Sequence, residues 1–339
     1  MIEVNIRSAA NKIKGQGVGT AFEDHVRILK KSNKIKVFVN DKRFHDILHV
    51  HTMDVPSFME IWRYKKSGRK VSVSIHVVPD SLKGSLKLPG FLRKGFGIYL
   101  RYFYDSADKC VVVNPYFKKE LVKMGINENK IVFIPNVVAA DVFYPMKEKR
   151  NIRKKLGLSE KAFIVVGVGQ IQQRKGIDDF VETAKILKDV LFIWIGGFSF
   201  GQMMQGYERY KKLLEKPPEN VIFTGIVDRK KVALYLNAAD LFFLPSYHEL
   251  LPMSVLEAVS CNLPVILRDL NIYKDVFFEN YSKASSVTGF VELIRKFKED
   301  ASFYEKYKRK SMELAKIYSP EKILKMWEDF FYDLIKFDR

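Results

Sequence analysis

The sequence predicts an α/β protein of two domains, each a doubly wound parallel sheet. Three observations carry this expectation. Short runs that are apolar on both faces, as strands of a covered parallel sheet are, recur along the chain. Segments of helical period separate them, so β and α alternate. The chain has 339 residues, more than one ordinary hydrophobic core accommodates.

The first series of strands is expected at "KVFVN" (36–40), "ILHVH" (47–51), "VSVSIHV" (71–77), "CVVVN" (110–114) and "IVFIPN" (131–136), after a poorer apolar segment at 2–6. A charged stretch with a proline, "YPMKEKRNIRKKLGLSEK" (144–161), then interrupts the alternation and sets a boundary between domains at 1–150 and 151–318. Strands resume with "FIVVGVG" (163–169), "LFIWIGG" (191–197), "VIFTGIV" (221–227), "LFFLPS" (241–246) and "PVILRD" (264–269). Segments such as "GIDDFVETAKILKDV" and "RKKVALYLNAAD" repeat apolar residues every three or four positions, as helices covering a sheet do. The terminal segment 319–339, "SPEKILKMWEDFFYDLIKF…", has a Ser-Pro start and an aromatic stripe, and reads as an amphipathic helix packing on the first domain.

Charge is the unusual bulk property, at +19. Residues 1–150 hold 28 Lys/Arg against 14 Asp/Glu, and the remainder 30 against 25, so the excess sits in the first half. Such a field favours an anionic partner: a phosphorylated substrate, an anionic bilayer or nucleic acid. Nucleic-acid binding without catalysis is the rival class. No helix-turn-helix, zinc-finger or stacking-sheet pattern supports it, and no nucleic acid is expected. No apolar run reaches the ~18 residues of a spanning helix, and no secretory leader is expected. Cys110 and Cys261 are isolated, which fits a reducing cytoplasm rather than a disulfide or zinc framework.

The chemistry gathers in "YHELLPMSVLEAVSCNLPVILRD" (247–269), which leaves a strand end and enters a helix. Pro252 suits the first turn of that helix, whose N-terminus is a ready anion site. Met253 and Glu257 lie four apart on one face, and Glu249 stands in the loop beside it. Carboxylates flanking an anion site suit a ligand with a diphosphate middle and polyol ends, such as a nucleotide sugar. In "VVGVGQIQQRKGIDDF" (165–180), a strand and a turn containing Gly169 lead to Arg174-Lys175-Gly176 opening a helix, two cations that would clamp a diphosphate. "KGQGVGTAFEDHVRIL" (14–29) sets Gly15, Gly17 and Gly19 before a helix, as in a phosphate-approaching loop. His76 ends "VSVSIH" at a strand's carboxyl end. No Asp-x-Asp occurs in the chain, and no metal or other cofactor is expected.

These segments resemble the family 4 glycosyltransferases, which have the GT-B fold of two facing Rossmann-like domains with a C-terminal helix crossing back. "PSYHELLPMSVLEAVSCNLPVI" is similar to the family's Glu-x7-Glu segment, with Leu250 and Leu251 where small glycines commonly stand. "VGQIQQRKG" looks like its phosphate-clamping element, with Gln170 at the usual arginine. "PNVVAADVFYP" (135–145) resembles its interdomain connector. The resemblance implies that Glu249 meets the donor hexose and Glu257 the ribose. It implies that Leu251 and Met253 line the donor site, that Val227 in "FTGIV" lies at the nucleotide base, and that Gly17 and Gly19 approach the donor. It implies that His76 borders the reacting sugar, and that transfer retains the anomeric configuration without a metal.

The pattern is most similar to bacterial enzymes that extend glucosyl-diacylglycerol to dihexosyl glycolipids, and so implies a UDP-glucose or UDP-galactose donor and a membrane glycolipid acceptor. A capsule, exopolysaccharide or teichoic-acid precursor is the alternative acceptor. Residues 61–103 mix ten Lys/Arg with apolar and aromatic side chains, from Pro89 as a helix, and are expected to rest on the anionic inner face of the cell membrane.

Overall fold

Runs rich in Val, Ile and Phe form strands where both faces are covered by helices, and here they do so twice. The computed structural model describes residues 1–9, 17–78, 90–198 and 206–336. These fall into two compact units: residues up to Ala139 together with those from Tyr318 onward, and Ala140–Ile317.

The first unit contains β1 (Ile2–Arg7), β2 (Ile35–Val39), β3 (Ile47–Val50), β4 (Lys70–Ile75), β5 (Lys109–Val112) and β6 (Ile131–Phe133). All are parallel, in the order β2-β1-β3-β4-β5-β6. Val4, Ile47, Leu48, Val50 and Val71 are wholly buried at its centre. Its helices are α1 (Gly17–Leu29), α2 (Val55–Lys66), α3 (Gly90–Asp105) and α4 (Tyr116–Lys123). Asp54 starts α2 by accepting from the Ser57 amide at 2.9 Å, so an otherwise orphaned N–H is satisfied. The glycines expected before the first helix begin it instead: Gly17 is its first residue and Gly19 lies in its first turn, while Gly15 lies outside the described residues.

The second unit contains α5 (Lys149–Lys155), β7 (Phe163–Val168), α6 (Ile177–Ile186), β8 (Val190–Ile195), α7 (Tyr207–Glu215), β9 (Val221–Phe223), α8 (Arg229–Ala238) and β10 (Leu241–Leu244). It continues with α9 (Met253–Ser260), β11 (Val265–Arg268), α10 (Lys274–Phe277), β12 (Ser282–Ala284), α11 (Val287–Glu299) and α12 (Ala301–Ile317). Its parallel order is β12-β11-β10-β7-β8-β9. Strand order reverses between β7 and β10, which is where ligands of doubly wound sheets collect beyond the strand ends.

Three expectations change. The strand β12 was not visible in "SKA", which is short and polar; it pairs only along β11, at the sheet edge. The run "VIFTGIV" is a strand only through Phe223, because Gly225 turns the backbone to φ 67° and bridges to Gly196. Residues 140–150 belong to the second unit rather than the first: the Met146 amide donates to Asn237 Oδ1 at 2.7 Å, and Lys149 reaches Asp240 at 2.5 Å. The terminal helix α13 (Pro320–Lys336) is part of the first unit. Its Glu328 accepts from Ser32 Oγ at 2.6 Å and pairs with Lys34, and its Trp327 ring lies 4.0 Å from that of His25 on α1.

Candidate active site

In the second unit, the loops leaving the neighbouring strands β7 and β10 are bonded to one another. Residues Gln173–Lys175 form a turn of 3₁₀ helix rather than the first turn of α6, and Gly176 joins the two in the left-handed region, at φ 73°. A Cβ there would come within 2.2 Å of the Pro245 carbonyl oxygen, so only glycine lets the β7 loop lie against the β10 loop. The Tyr247 amide donates to the Arg174 carbonyl at 2.8 Å, closing that contact.

This packing buries Lys175 against Glu249. Lys175 Nζ donates to Glu249 Oε1 at 2.5 Å, and Ser246 Oγ donates to the same oxygen at 2.8 Å. Arg174 adds a second cation, 3.8 Å from Glu249 Oε2, while its guanidinium is steadied by Gln172 Oε1 at 2.9 Å and the His248 carbonyl. Burial alone would push the Glu249 carboxyl up. The two cations and the bonds from Lys175 and Ser246 outweigh it and hold the carboxyl below its ordinary range. Burial pulls Lys175 down, with Glu249 opposing. Glu249 is therefore ionised and able only to accept hydrogen bonds.

Around this pair, Gly169 lies 3.4 Å (from its notional Cβ) from the Lys175 stem and accepts from Trp194 Nε1 at 3.0 Å. Pro252 precedes α9 rather than opening it, and Leu251, Met253 and Glu257 are all buried there. Val227, partly buried, lies in the loop between β9 and α8. Glu257 is not solvent-facing: Arg229, at the start of α8, lies 3.6 Å from it and over the Phe143 ring.

Arg229 escaped the sequence reading, although "VDRKK" directly follows the strand-end segment. So did Arg268. Its guanidinium donates to the Pro245 carbonyl at 3.0 Å and to the Ser285 carbonyl at 2.8 Å, pairs with Asp179, and stacks 3.9 Å from the Tyr247 ring. Tyr247 in turn donates to Asp179 Oδ2 at 2.8 Å. Nothing local in "VILRD" reports this, because the partners come from three other elements.

In the first unit, His76 does not stand alone at the end of β4. The β3–β4 register sets His49 opposite Ser72, so that "HVH" and "SVSIH", each of period two, line one face. His49 Nδ1 and Nε2 contact Ser72 Oγ and Ser74 Oγ at 2.8 and 2.9 Å. His51 Nδ1 meets His76 Nε2 at 3.0 Å, and His51 Nε2 meets His25 Nδ1 at 2.8 Å. Ring nitrogens of His25, His49 and His51 lie within 4.8 Å of one another, a spacing that admits a metal ion. His49 would have to surrender a serine, and His51 its bond to His25, so hydrogen bonding already accounts for the cluster. Burial pushes His76 down to about 4, and burial with neighbouring imidazoles pushes His25, His49 and His51 well down too. All four are neutral near pH 7.

Residues 21–142 match the family described as Glycosyltransferase Family 4, and residues 148–313 match Glycosyl transferases group 1. The alpha-galactosylglucosyldiacylglycerol synthase of Streptococcus pneumoniae is 41% identical over 337 residues, covering 97% of this chain and 89% of that one. The chain belongs to the family 4 glycosyltransferases. The enzyme is also 29% identical to the processive diacylglycerol alpha-glucosyltransferase of Acholeplasma laidlawii, over 84% of each chain. Its two parallel six-stranded sheets have the GT-B architecture. HepE of Anabaena, solved in complex with UDP-glucose, superposes with a TM-score of 0.79 at 13% identity, over 98% of this chain and 100% of that one. Among the described residues no helix is long and apolar enough to cross a membrane.

Two outcomes follow from this geometry. Lys175→Met strands a buried carboxylate and should destabilise the second unit by about 3–5 kcal/mol, whereas Lys175→Met with Glu249→Leu should recover much of it. Denaturant unfolding of the three variants reads the coupling, and additive losses would contradict a buried ion pair. For the histidines, the unfolded chain protonates near the ordinary value of about 6.5 and so binds more protons below it than the folded chain does. Their contribution to stability is whole above about pH 6.5 and falls as pH drops below it, for His76 toward about 4, by up to ~1.4 kcal/mol per pH unit for each histidine. Unfolding at a series of pH values should show this slope, reduced in His25→Phe; a flat profile from about pH 7 to pH 5 would contradict it.

Proposed function

We propose that the enzyme transfers a hexose from a UDP-linked donor to a hexosyl-diacylglycerol acceptor at an anionic membrane surface, with retention of anomeric configuration and without a metal. The observation that carries this reading is the buried Lys175–Glu249 pair, with partly buried Arg174 beside it, where the sheet order reverses, in a chain 41% identical to a galactosylglucosyldiacylglycerol synthase. Lys175 keeps Glu249 ionised, so that its carboxylate accepts hydrogen bonds from donor hexose hydroxyls. One Lys175 N–H is taken by Glu249, which leaves others for phosphate oxygens, and Arg174 adds the second positive charge. Glu257, set at the fourth helical position after Met253, would take the ribose hydroxyls, and Val227 the base. The UDP-glucose complex of a similarly folded protein supports a nucleotide-sugar donor.

In the reaction the acceptor oxygen bonds to the anomeric carbon while the bond from that carbon to the phosphate oxygen breaks. The acceptor proton passes to the departing phosphate oxygen on the same face. His76, neutral, would border the sugar and hold it in place without adding a full charge beside the positive charge that develops on it. Donor binding is assigned to the second unit and acceptor binding to the first. Cations at the diphosphate act in a preorganised, largely dry environment, so Lys175→Ala should lower kcat by about 2–4 kcal/mol of transition-state stabilisation. The assay follows UDP release and dihexosyl lipid from UDP-hexoses with monohexosyl-diacylglycerol in anionic vesicles. Near-normal turnover in that variant would refute the clamp, and UDP release independent of lipid would refute the acceptor.

The membrane surface is assigned to the basic first unit. On α2, Val55, Met59 and Trp62 form a stripe 63%, 66% and 60% exposed, with Lys66 Nζ 3.7 Å from the Trp62 ring. Against it lies α3, where Phe58 meets Tyr99 and Phe103; Ile98 and Tyr102 are exposed, whereas Leu100, Phe103 and Tyr104 are buried. Among the described side chains, the expected basic-aromatic helix is thus divided between a buried face and an open one. The segment 79–89 lies outside the described residues. Met59→Ser with Trp62→Ser should weaken binding to anionic vesicles by at least ~10-fold, from the lost apolar burial alone. Unchanged sedimentation with such vesicles would sink this assignment.

A further inference from the structure

The three histidines His25, His51 and His76 are joined end to end by imidazole–imidazole hydrogen bonds, and such a series carries a constraint. A neutral imidazole has one N–H donor and one lone-pair acceptor. Each bond in the series needs one of each, so the three rings adopt a common tautomer: all Nδ1–H or all Nε2–H. All three are held neutral by burial, so a cationic link does not break the rule.

Which of the two arrangements holds is decided at the far end. His25 Nε2 is buried and has no hydrogen-bond partner among the described residues. The Trp327 ring packs 4.0 Å from the His25 ring, and His25 itself is 3% exposed, so an N–H on Nε2 would meet no acceptor among the described residues. A buried unpaired lone pair is better tolerated than a buried unpaired N–H. His25 therefore carries its proton on Nδ1 and donates to His51 Nε2 at 2.8 Å. His51 must then carry its proton on Nδ1 and donate to His76 Nε2 at 3.0 Å. The proton of His76 is left on Nδ1, the ring nitrogen outside the series.

We propose that His25 and His51 are positioning residues that lock His76 as a neutral Nδ1–H donor, so that it offers a hydrogen bond to an oxygen of the substrate rather than a base to its proton. The inference rests on the reading above that His76 borders the reacting sugar. His49 stands outside the lock, since Ser72 and Ser74 occupy both of its nitrogens. The device differs from a carboxylate–histidine pair in that no charge is placed behind the ring. The developing positive sugar then meets a neutral dipole, and His76 remains un-ionised across the neutral pH range.

The test reads the tautomer directly, by long-range ¹⁵N–¹H correlation spectra of the intact enzyme labelled at histidine, assigned with His76→Gln. The expected result is Nδ1–H on His25, His51 and His76, against the Nε2–H form that a free histidine favours. An Nε2–H form of His76 in the native enzyme overturns the proposal, whatever the turnover of any variant. For function, His51→Leu should lower kcat at least ~10-fold with little change in donor KM, and His51→Asn, whose amide N–H replaces Nδ1–H toward His76, should recover most of the loss. Equal kcat in His51→Leu and the native enzyme, or no rescue by His51→Asn, also overturns it. If His76→Ala turns over normally while the native spectrum shows Nδ1–H, the placement of His76 at the sugar fails and the tautomer lock stands.

Discussion

The buried contact between Lys175 and Glu249 is the constraint on which the proposed donor site of the second unit depends. An ammonium and a carboxylate are taken out of water together, and neither is tolerable there without the other. The contact exists because β7 and β10 are neighbours in the sheet although far apart in the chain, so that their exit loops emerge side by side. Gly176 removes the side chain that would hold the loops apart, and Arg268 ties the β10 loop to α6 through Asp179. The position of the pair is thus a consequence of strand order: it lies where the winding direction switches, beyond the ends of β7 and β10.

The same logic operates in the first unit with hydrogen bonds in place of charge. Parallel pairing of β3 and β4 puts two histidines of one strand beside two serines and a histidine of the next, and α1 adds a fourth imidazole beneath Trp327 of α13. Desolvation keeps the group neutral, which turns a set of titratable residues into a set of directed donors and acceptors. One unit therefore holds a buried pair of opposite charges and the other a buried series of neutral dipoles.

The basic character of the chain acquires a location in the structure. Lysines and arginines crowd the first half, and where α2 and α3 meet there are also exposed apolar side chains that a water-facing helix ordinarily lacks. On the same helix Leu100, Phe103 and Tyr104 are committed to the core, so its aromatic side chains are divided between the interior and the surface.

Much of this was legible from the chain alone. The fold class followed from runs apolar on both faces, because a parallel sheet covered by helices leaves no solvent face to be polar. Glu249 and Lys175 could be singled out because each sits between an apolar strand and the helix that follows it, and Glu257 because it lies one turn into α9 on the face of Met253. What the sequence could not state is who meets whom. Arg229 beside Glu257, Arg268 beneath Tyr247 and the histidine series through His51 and His25 depend on strand order and register, which bring together residues dozens of positions apart. The edge strand β12, too polar to announce itself, and the grouping of residues 140–150 with the second unit were likewise decided by long-range pairing. Local periodicity determines which segments must be buried; only the packed structure decides which buried group answers which.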